Sequence, residues 1–346
     1  MSRVQTFDGH NDAVLRLWKG GREGVADRFR ASETGHIDVK RAKVGGFAGG
    51  FFAMFVPGTE PFDPTVFGSP PYDVPLPSEI EPARALRVVK EQAQVLHDLD
   101  AAGDLALCRT AADIYDALAA GRIAAVMHLE GAEAIDSDLE VLDGLYDLGL
   151  RSLGPVWSRP TIFGHGVPFR FPSDGDTGPG LTEAGKRLVQ ACHDRKIVVD
   201  MSHLTLKGFY DTAEFGAPVV ATHSNAHSIS PSARNLTDDQ LRTIGQSGGM
   251  VGLNYGTVFL DPSGGDDPDR AAEAIMRHLD HMLEHAGEDA VGLGSDFDGA
   301  PMPRGLTSCG DLPAFADRMR AHGYDEVLLA KIMGQNWLDF LRRYWG

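Results

Sequence analysis

The chain has 346 residues, 42% of them hydrophobic, and is long enough to bury a large core as two modest domains or one α/β barrel. Its 32 basic and 49 acidic residues give a formal net charge of -17. A charge of this sign repels nucleic-acid backbones and anionic membrane surfaces, so neither is an expected partner.

The cysteines and the apolar runs indicate the compartment. Cys108, Cys192 and Cys309 are an odd number without close spacing, which predicts buried apolar residues in a reducing environment and not a disulfide framework or a structural zinc site. The N-terminal sequence has no apolar run of signal-peptide length, and no segment reaches the roughly 18 apolar residues of a membrane span. The sequence therefore predicts a cytoplasmic protein with no membrane partner.

Short apolar or β-branched runs predict eight strands, and a helical pattern follows most of them. The predicted strands are 5–7, 46–56, 123–129, 151–157, 197–201, 218–222, 249–254 and 290–294. The predicted helices are 81–100, 111–120, 139–148, 182–195, 204–214, 237–246, 269–286 and 325–344. This alternation favours an α/β fold of the (β/α)8 TIM barrel type, with a doubly wound open sheet as its rival.

Two segments lack a regular pattern. Residues 58–78 and 159–180 are rich in proline and glycine, and we expect long loops that act as lids or contact surfaces. The prediction for residues 1–346 is a single hydrolase barrel domain carrying these loop insertions.

Polar residues follow the ends of most predicted strands. The motifs are "DGHND" with His10 and Asp12, "HLEG" with His128 and Glu130, "DMSH" with His203, "THSNAH" with His223 and His227, and "GSDFDG" with Asp296 and Asp298. Residues two apart on a strand point to the same side, and a barrel collects its strand ends at one mouth. The set therefore favours the barrel over the open sheet and predicts a shared metal site.

The residue types indicate the chemistry of this site. Imidazoles and carboxylates without cysteine suit catalytic zinc and its neighbours. Two ions can share a carboxylate and a hydroxide, and Glu130 is the predicted bridge. The first ion is then predicted to be bound by His10, Asp12 and Glu130. The second is predicted to be bound by Glu130, His203 and His223. Asp296 is the predicted general acid and base.

The phrases "DGHND", "DMSH", "THSNAHS", "ARNLTDDQL" and "GSDFDG", in this order, resemble the membrane (renal) dipeptidase family, the M19 metallopeptidases of the amidohydrolase superfamily. The resemblance runs over essentially the whole chain. It implies a barrel with two Zn²⁺ ions that hydrolyses dipeptides and tolerates a D-residue at the C-terminal position. It also implies the same five ligands, with Asp296 contacting the bridging water.

The resemblance extends to the substrate. It implies that Arg234, in "SARN", binds the free C-terminal carboxylate of a dipeptide, a task that suits a planar guanidinium. The sequence departs from the family at Trp157, where many members have a histidine thought to polarise the scissile carbonyl. In one interpretation Trp157 forms a wall of the pocket and alters which substrate side chains fit. In the other, His165 of the following loop replaces the missing histidine as the group that polarises the carbonyl.

Three alternatives stay open. A related binuclear-metal amidohydrolase would act on N-acyl amino acids, D-amino-acid conjugates or lactams, and a catalytically silent barrel would only bind or scaffold. A homodimer contact through the loop 58–78 and the end "NWLDFLRRYWG" competes with a last helix that packs Trp337, Phe340 and Leu341 inward. The histidines at 278, 281 and 285 are interpreted as an outer helix face in preference to a metal site.

Overall fold

The structure, a computed structural model, describes residues 5–60 and 63–346. The strands are β1 (Thr6–Asn11), β2 (Phe47–Phe55), β3 (Tyr72–Asp73), β4 (Leu105–Leu107), β5 (Ile123–Glu130), β6 (Leu150–Gly154), β7 (Arg170–Phe171), β8 (Val198–Val199), β9 (Val220–Ala221), β10 (Met250–Leu253) and β11 (Val291–Leu293).

Helices surround the strands. They are α1 (Ala13–Lys19), α2 (Val25–Arg30), α3 (Val39–Gly45), α4 (Pro82–Ala101), α5 (Ala111–Ala119), α6 (Glu140–Leu148), α7 (Glu183–Asp194), α8 (Leu206–Ala213), α9 (Asp238–Gln246), α10 (Thr257–Leu260), α11 (Pro268–Ala286), α12 (Leu312–His322), α13 (Glu326–Ala330) and α14 (Asn336–Trp345). Across the described ranges, no helix has both the length and the apolar character needed to cross a membrane.

Eight parallel strands form a barrel, in the order β8-β6-β5-β2-β1-β11-β10-β9. The two end strands meet through a parallel bridge between Asp200 and Val220, where the amide of Met201 donates to the carbonyl of Val220 at 2.8 Å. The short strand β4 pairs with the first half of β5 beside this circle. The predicted (β/α)8 barrel is therefore confirmed, and the eight predicted strand regions all contribute to it.

The alternation of β5 shows how the barrel positions polar groups. Ala124 and Val126 pack in the barrel interior with Phe7 and Trp337, whereas the intervening Ala125 and Met127 belong to the cluster beneath the helices. Since side chains alternate along a strand, His128 and Glu130 continue the inward row. The interior is thus apolar at the bottom and polar at the C-terminal mouth.

The last helix closes the bottom of the barrel. Trp337 is fully buried, its indole Nε1 donates to the carbonyl of Leu293 at 2.9 Å, and Phe340 and Leu341 are buried beside it. This is the inward packing that competed with a homodimer contact for these residues. The homodimer stays a prediction, but Trp337, Phe340 and Leu341 are no longer available for its contact surface. Light scattering that shows a monomer would contradict it.

The prediction of one continuous helix over 325–344 is wrong. This segment is divided into α13 and α14 by a π-helical turn, Lys331–Gln335, in which Gly334 leaves helical geometry with φ 172°. A Cβ at Gly334 would lie 2.6 Å from the backbone nitrogen of Phe7, so this glycine lets the turn touch β1. Some of the described helices were not predicted because they are short or follow turns that contain glycine, namely α1, α2, α3, α10 and α12.

The two segments predicted as long loops join each other. Within 58–78 the structure has a 3₁₀ turn, Pro64–Gly68, and strand β3, which pairs antiparallel with β7 from the segment 159–180. Pro61 and Phe62 lie outside the described residues. Pairing between distant loops depends on the barrel bringing them together, so the sequence did not predict these short strands. The role of the two loops as lids or contact surfaces stays a prediction.

Candidate metal centre and active-site cavity

Glu130, at the end of β5, stands between two sets of ligand atoms. Its Oε2 lies 3.8 Å from Nε2 of His10, which in turn lies 3.5 Å from Oδ2 of Asp12. Its Oε1 lies 3.0 Å from Nε2 of His203 and 3.5 Å from Nε2 of His223. The structure therefore brings the five predicted ligands together, with one oxygen of Glu130 facing each set. Within each set the ligand atoms lie within 4.8 Å of one another.

Hydroxyl groups orient two of these histidines. The hydroxyl of Ser158 lies 2.9 Å from Nδ1 of His203, and that of Thr222 lies 2.9 Å from Nδ1 of His223. Partners of this kind on the far nitrogen fix the ring and its tautomer in metal sites. Each Nε2 is thereby directed toward Glu130.

Asp200 anchors this outer layer from the end of β8. Its Oδ2 accepts from the hydroxyl of Thr222 at 2.6 Å, and its Oδ1 accepts from the hydroxyl of Ser202 at 2.6 Å. It also lies 3.6 Å from Nε2 of His128, whose Nδ1 is 2.9 Å from the hydroxyl of Ser152. His128 thus lies among buried polar groups below the predicted ligands and outside their two sets.

The donor set fits a bound cation. Both ring nitrogens of the fully buried His10 lack a hydrogen-bond partner among the described residues. Burial lowers the pKa of His10, but the carboxylates of Glu130 and Asp12 raise it to about 10, so the cluster attracts positive charge. Burial holds the pKa values of His203 and His223 well below their usual range, which keeps both imidazoles neutral as a metal ligand must be.

Asp296 approaches the same centre from the loop after β11. Its Oδ2 accepts from the amide of Asn254 at 2.9 Å, and its backbone adopts the left-handed conformation, with φ 58°. A Cβ at Gly299 would collide with Oδ1 of Asp296 and with Oδ2 of Asp12, so both carboxylates press against this glycine. Burial raises the pKa of Asp296, which suits a group that exchanges a proton.

Arg234 is a buried cation at the edge of the site. It is 3% exposed, and its Nη1 donates to the hydroxyl of Ser224 at 3.4 Å and its Nη2 to the carbonyl of His223 at 3.1 Å. Its Nε has no hydrogen-bond partner, and no carboxylate forms an ion pair with it, among the described residues. Burial lowers its pKa to about 10, which leaves it charged at neutral pH. The guanidinium is positioned to receive an anion.

A cavity of about 920 Å³ opens above these groups. Its lining includes Asp12, Glu130, His203, His223, Arg234 and Asp296 at the base, and Phe55, Trp157, Phe169 and Phe259 on the walls. The Trp157 ring centre lies 5.0 Å from that of Phe55, 5.6 Å from that of Phe169 and 5.8 Å from that of His203. Trp157 is therefore part of an aromatic wall, as one of its two interpretations had it.

Arg159, which the sequence analysis overlooked, supports this wall. It is 1% exposed, its Nη1 lies 2.8 Å from Oε1 of Glu133, and its guanidinium carbon lies 5.2 Å from the Trp157 ring centre. Cation–π contact and the buried ion pair together hold the indole in place. Asn254 and Asp200 were also overlooked, although their positions at the ends of β10 and β8 were a usable signal.

Other predicted residues lie elsewhere. His165 is not among the described residues that line the cavity, and its backbone carbonyl accepts from the amide of Thr205 at 3.3 Å. Asp298 pairs with Arg16 at 3.1 Å and accepts from the amide of His36, while His227 contacts the carbonyl of Ser173. Substitution of the missing family histidine by His165 would require this loop to move.

Buried imidazoles and carboxylates at the strand ends of a (β/α)8 barrel, beneath a large cavity, define the class of metal-dependent hydrolases. The model of the family "Membrane dipeptidase (Peptidase family M19)" matches residues 1–344. The chain belongs to this family and is a metallodipeptidase.

Similar proteins agree with this assignment. A Rhodobacter sphaeroides metallopeptidase, solved with a phosphinate mimic of the dipeptide L-Ala-D-Ala, is 49% identical; the match covers 99% of this chain and 100% of that one, with a TM-score of 0.95. The dipeptidase AC, a metallopeptidase of family M19, is 50% identical with complete coverage of both chains and a TM-score of 0.95. An uncharacterized Klebsiella pneumoniae protein of the pqqA 5' region is 43% identical over 267 residues, 76% of this chain and 98% of its own.

Proposed function

We propose that this metallodipeptidase uses two zinc ions to hydrolyse dipeptides that have a free C-terminal carboxylate, including L,D-dipeptides. The observation that carries the proposal is the position of Glu130, whose Oε1 and Oε2 face different histidine sets. A carboxylate with both oxygens engaged in this way suits a bridge between two ions. The ligand set contains only nitrogen and oxygen, which suits zinc in a catalytic site.

The ions, once bound, would polarise the scissile carbonyl and make water a nucleophile at neutral pH. The residues of the chain supply the proton transfers. Oδ1 of Asp296 faces the Gly299 side of the site, while Asn254 holds Oδ2, so the carboxylate is oriented with one oxygen available. Asp296 accepts a proton as water attacks and returns it to the nitrogen of the leaving amino acid.

Arg234 selects substrates by their terminal carboxylate. Its Nη2 uses one N–H on the carbonyl of His223, and its Nε–H has no partner, so the adjacent N–H groups of Nε and Nη2 suit a bidentate carboxylate. A buried cation without a counter-charge is costly, and a substrate carboxylate supplies the missing charge. A longer peptide would place an uncharged amide at this point.

The aromatic wall bears on the substrate side chains. Phe55, Trp157 and Phe169 pack edge to face around the cavity, and Phe259 lies 5.4 Å from the guanidinium carbon of Arg234. Such walls favour apolar contact with a substrate side chain. L,D-dipeptides are included because the 49%-identical Rhodobacter sphaeroides relative was solved with a mimic of L-Ala-D-Ala.

The experiment is a turnover assay on zinc-reconstituted protein whose bound metal has been counted. The panel contains matched L,L- and L,D-dipeptides, each with N-acyl and C-amidated controls. We expect two ions at the catalytic centre of each chain and cleavage confined to dipeptides with a free carboxylate. Arg234→Lys keeps the charge but loses the planar pair of donors, so kcat/KM falls by roughly 10- to 100-fold, the loss of one to two charged hydrogen bonds.

Other outcomes contradict particular parts of the proposal. Cleavage only of N-acyl or amidated compounds would move the substrate class to that of a related amidohydrolase. If Arg234→Lys loses activity equally on free and amidated substrates, Arg234 does not recognise the terminal carboxylate. A single ion at the catalytic centre of the fully active protein would contradict the role of Glu130 as a bridge.

A further inference from the structure

A second group of metal-binding side chains lies on the outside of the barrel, between α9 and α11. His281 and His285 are four residues apart on α11, and their ring centres are 4.3 Å apart. Asp238, the first residue of α9, places Oδ1 2.7 Å from Nε2 of His281 and Oδ2 3.6 Å from Nε2 of His285. The three ligand atoms lie within 4.8 Å of one another.

We propose that this group, the α9–α11 site, binds a single divalent transition-metal ion, zinc or a close neighbour, separately from the catalytic centre. Two histidines at this spacing on one helix face are a common zinc-binding arrangement, and a carboxylate from a second element completes three protein ligands. A water molecule supplies the fourth ligand and the site needs no further protein group. Imidazole and carboxylate ligands also bind nickel and copper ions.

A simple ion pair explains this geometry less completely. One hydrogen bond between Asp238 and His281 would account for a single imidazole, yet the same carboxylate faces a second imidazole with its other oxygen. Two protonated imidazoles whose ring centres are 4.3 Å apart would repel each other. One shared cation bound by neutral imidazoles uses both rings and both carboxylate oxygens without that repulsion.

The surroundings hold the carboxylate in position. The side chains of His281 and His285 are 17% and 15% exposed and that of Asp238 is 34% exposed, so an ion can reach the site from solvent. The hydroxyl of Ser228 donates to Oδ1 of Asp238 at 2.8 Å, an outer contact of the type that orients metal-bound carboxylates. His278, on the same helix, turns inward to Ala226 and Leu260 and is not part of the site.

The expected role is a clamp between two helices. Asp238 begins the helix that follows the segment 223–237, which carries both His223 and Arg234. An ion held by Asp238 and the two histidines would fix the end of this segment to α11. Bound metal should therefore raise the temperature of unfolding, with little effect on the chemistry at the catalytic centre.

The test counts metal in three proteins dialysed against micromolar free zinc, namely wild type, the double variant His281→Ala/His285→Ala, and the control His322→Ala. His322 pairs with Asp280 at 2.9 Å, and among the described residues it belongs to no group of side chains that could hold a metal ion. We expect the double variant to bind one ion fewer than wild type, to retain dipeptidase activity and to show a smaller zinc-dependent rise in unfolding temperature, because only the catalytic ions still stabilise it. The His322→Ala variant should bind as many ions as wild type.

Equal metal content in wild type and the double variant would overturn the proposal. If the double variant fails to fold, anomalous scattering at the zinc edge from wild-type crystals provides the test instead. Absence of an anomalous peak between α9 and α11 would also overturn the proposal. Glu130→Gln separates the two sites, because it should lose metal at the catalytic centre and keep the α9–α11 ion. A Glu130→Gln variant with full dipeptidase activity and unchanged metal content would contradict only the catalytic assignment, because the α9–α11 ion would still be bound.

Discussion

The hydroxyl oxygen of Thr222 lies 2.9 Å from Nδ1 of His223 and at the same time donates its proton to Asp200 at 2.6 Å. Because the hydroxyl proton is used on Asp200, the oxygen is left to accept from His223. Nδ1 of His223 therefore carries the ring proton, and Nε2 presents its lone pair to the site. This chain of two hydrogen bonds assigns the tautomer that metal binding requires.

Thr222→Val tests this chain directly, because valine has nearly the shape of threonine and lacks the hydroxyl. We expect metal affinity to fall roughly 10- to 100-fold, the usual effect of removing such an outer partner, while the fold is retained. Zinc affinity measured by chelator competition gives the readout. Thr212→Val on α8 removes a buried hydroxyl that donates to the carbonyl of Gly208 within the same helix, so it should leave zinc affinity unchanged.

Asp296→Asn removes the group assigned to proton transfer and keeps its size. We expect kcat to fall roughly 10²- to 10⁴-fold, the usual contribution of a general acid or base, with KM much less affected. Steady-state kinetics on zinc-loaded protein provide the measurement. Asp298→Asn is the control from the same loop, since Asp298 faces His36 and Arg16 instead of the cavity. Similar losses of kcat in both variants would indicate that the loop, and not Asp296, was affected.

His278 should make stability depend on acid pH. Burial lowers its pKa to about 3 from the ordinary 6.5, so the unfolded chain takes up a proton that the folded chain does not. Its stabilising contribution is therefore complete above pH 6.5 and is lost as the pH falls from 6.5 toward 3.

The variant His278→Gln removes this titration and can still bond to both Ala226 and Leu260. We expect the free energy of unfolding to fall less steeply with decreasing pH than in wild type. The difference in slope should correspond to at most about one proton taken up on unfolding. Urea unfolding at several pH values measures the slope. His322→Gln, at a half-exposed histidine, is the control, and identical slopes for wild type and His278→Gln would contradict the prediction.

The three cysteines should be unreactive in the folded protein. All are free and buried, and burial raises the pKa of Cys108 and of Cys309 to about 12 and that of Cys192 further. Because the thiolate is the reactive form, Ellman's reagent should label no thiol rapidly in native protein and three after unfolding. Rapid labelling of even one native thiol would show that its helix or strand opens readily.

The sequence by itself determined where the predicted site residues occur along the chain. His10, Glu130 and Asp296 follow predicted strands, and parallel strands in a barrel place all such ends at one mouth. The period of two along β5 likewise put Glu130 on the inward side with Val126. These conclusions need only local periodicity and the polarity of a barrel, which the sequence carries directly.

Only the tertiary structure decided how these residues face one another. The separate directions of the two Glu130 oxygens, the hydrogen bonds that Asp200 accepts, and the contact of Arg159 with Trp157 depend on distances between strands far apart in sequence. The same holds for the pairing of β3 with β7 and the break at Gly334, where contact with Phe7 overrides a continuous helical pattern. Non-local packing sets such geometry, and no local pattern in the chain records it.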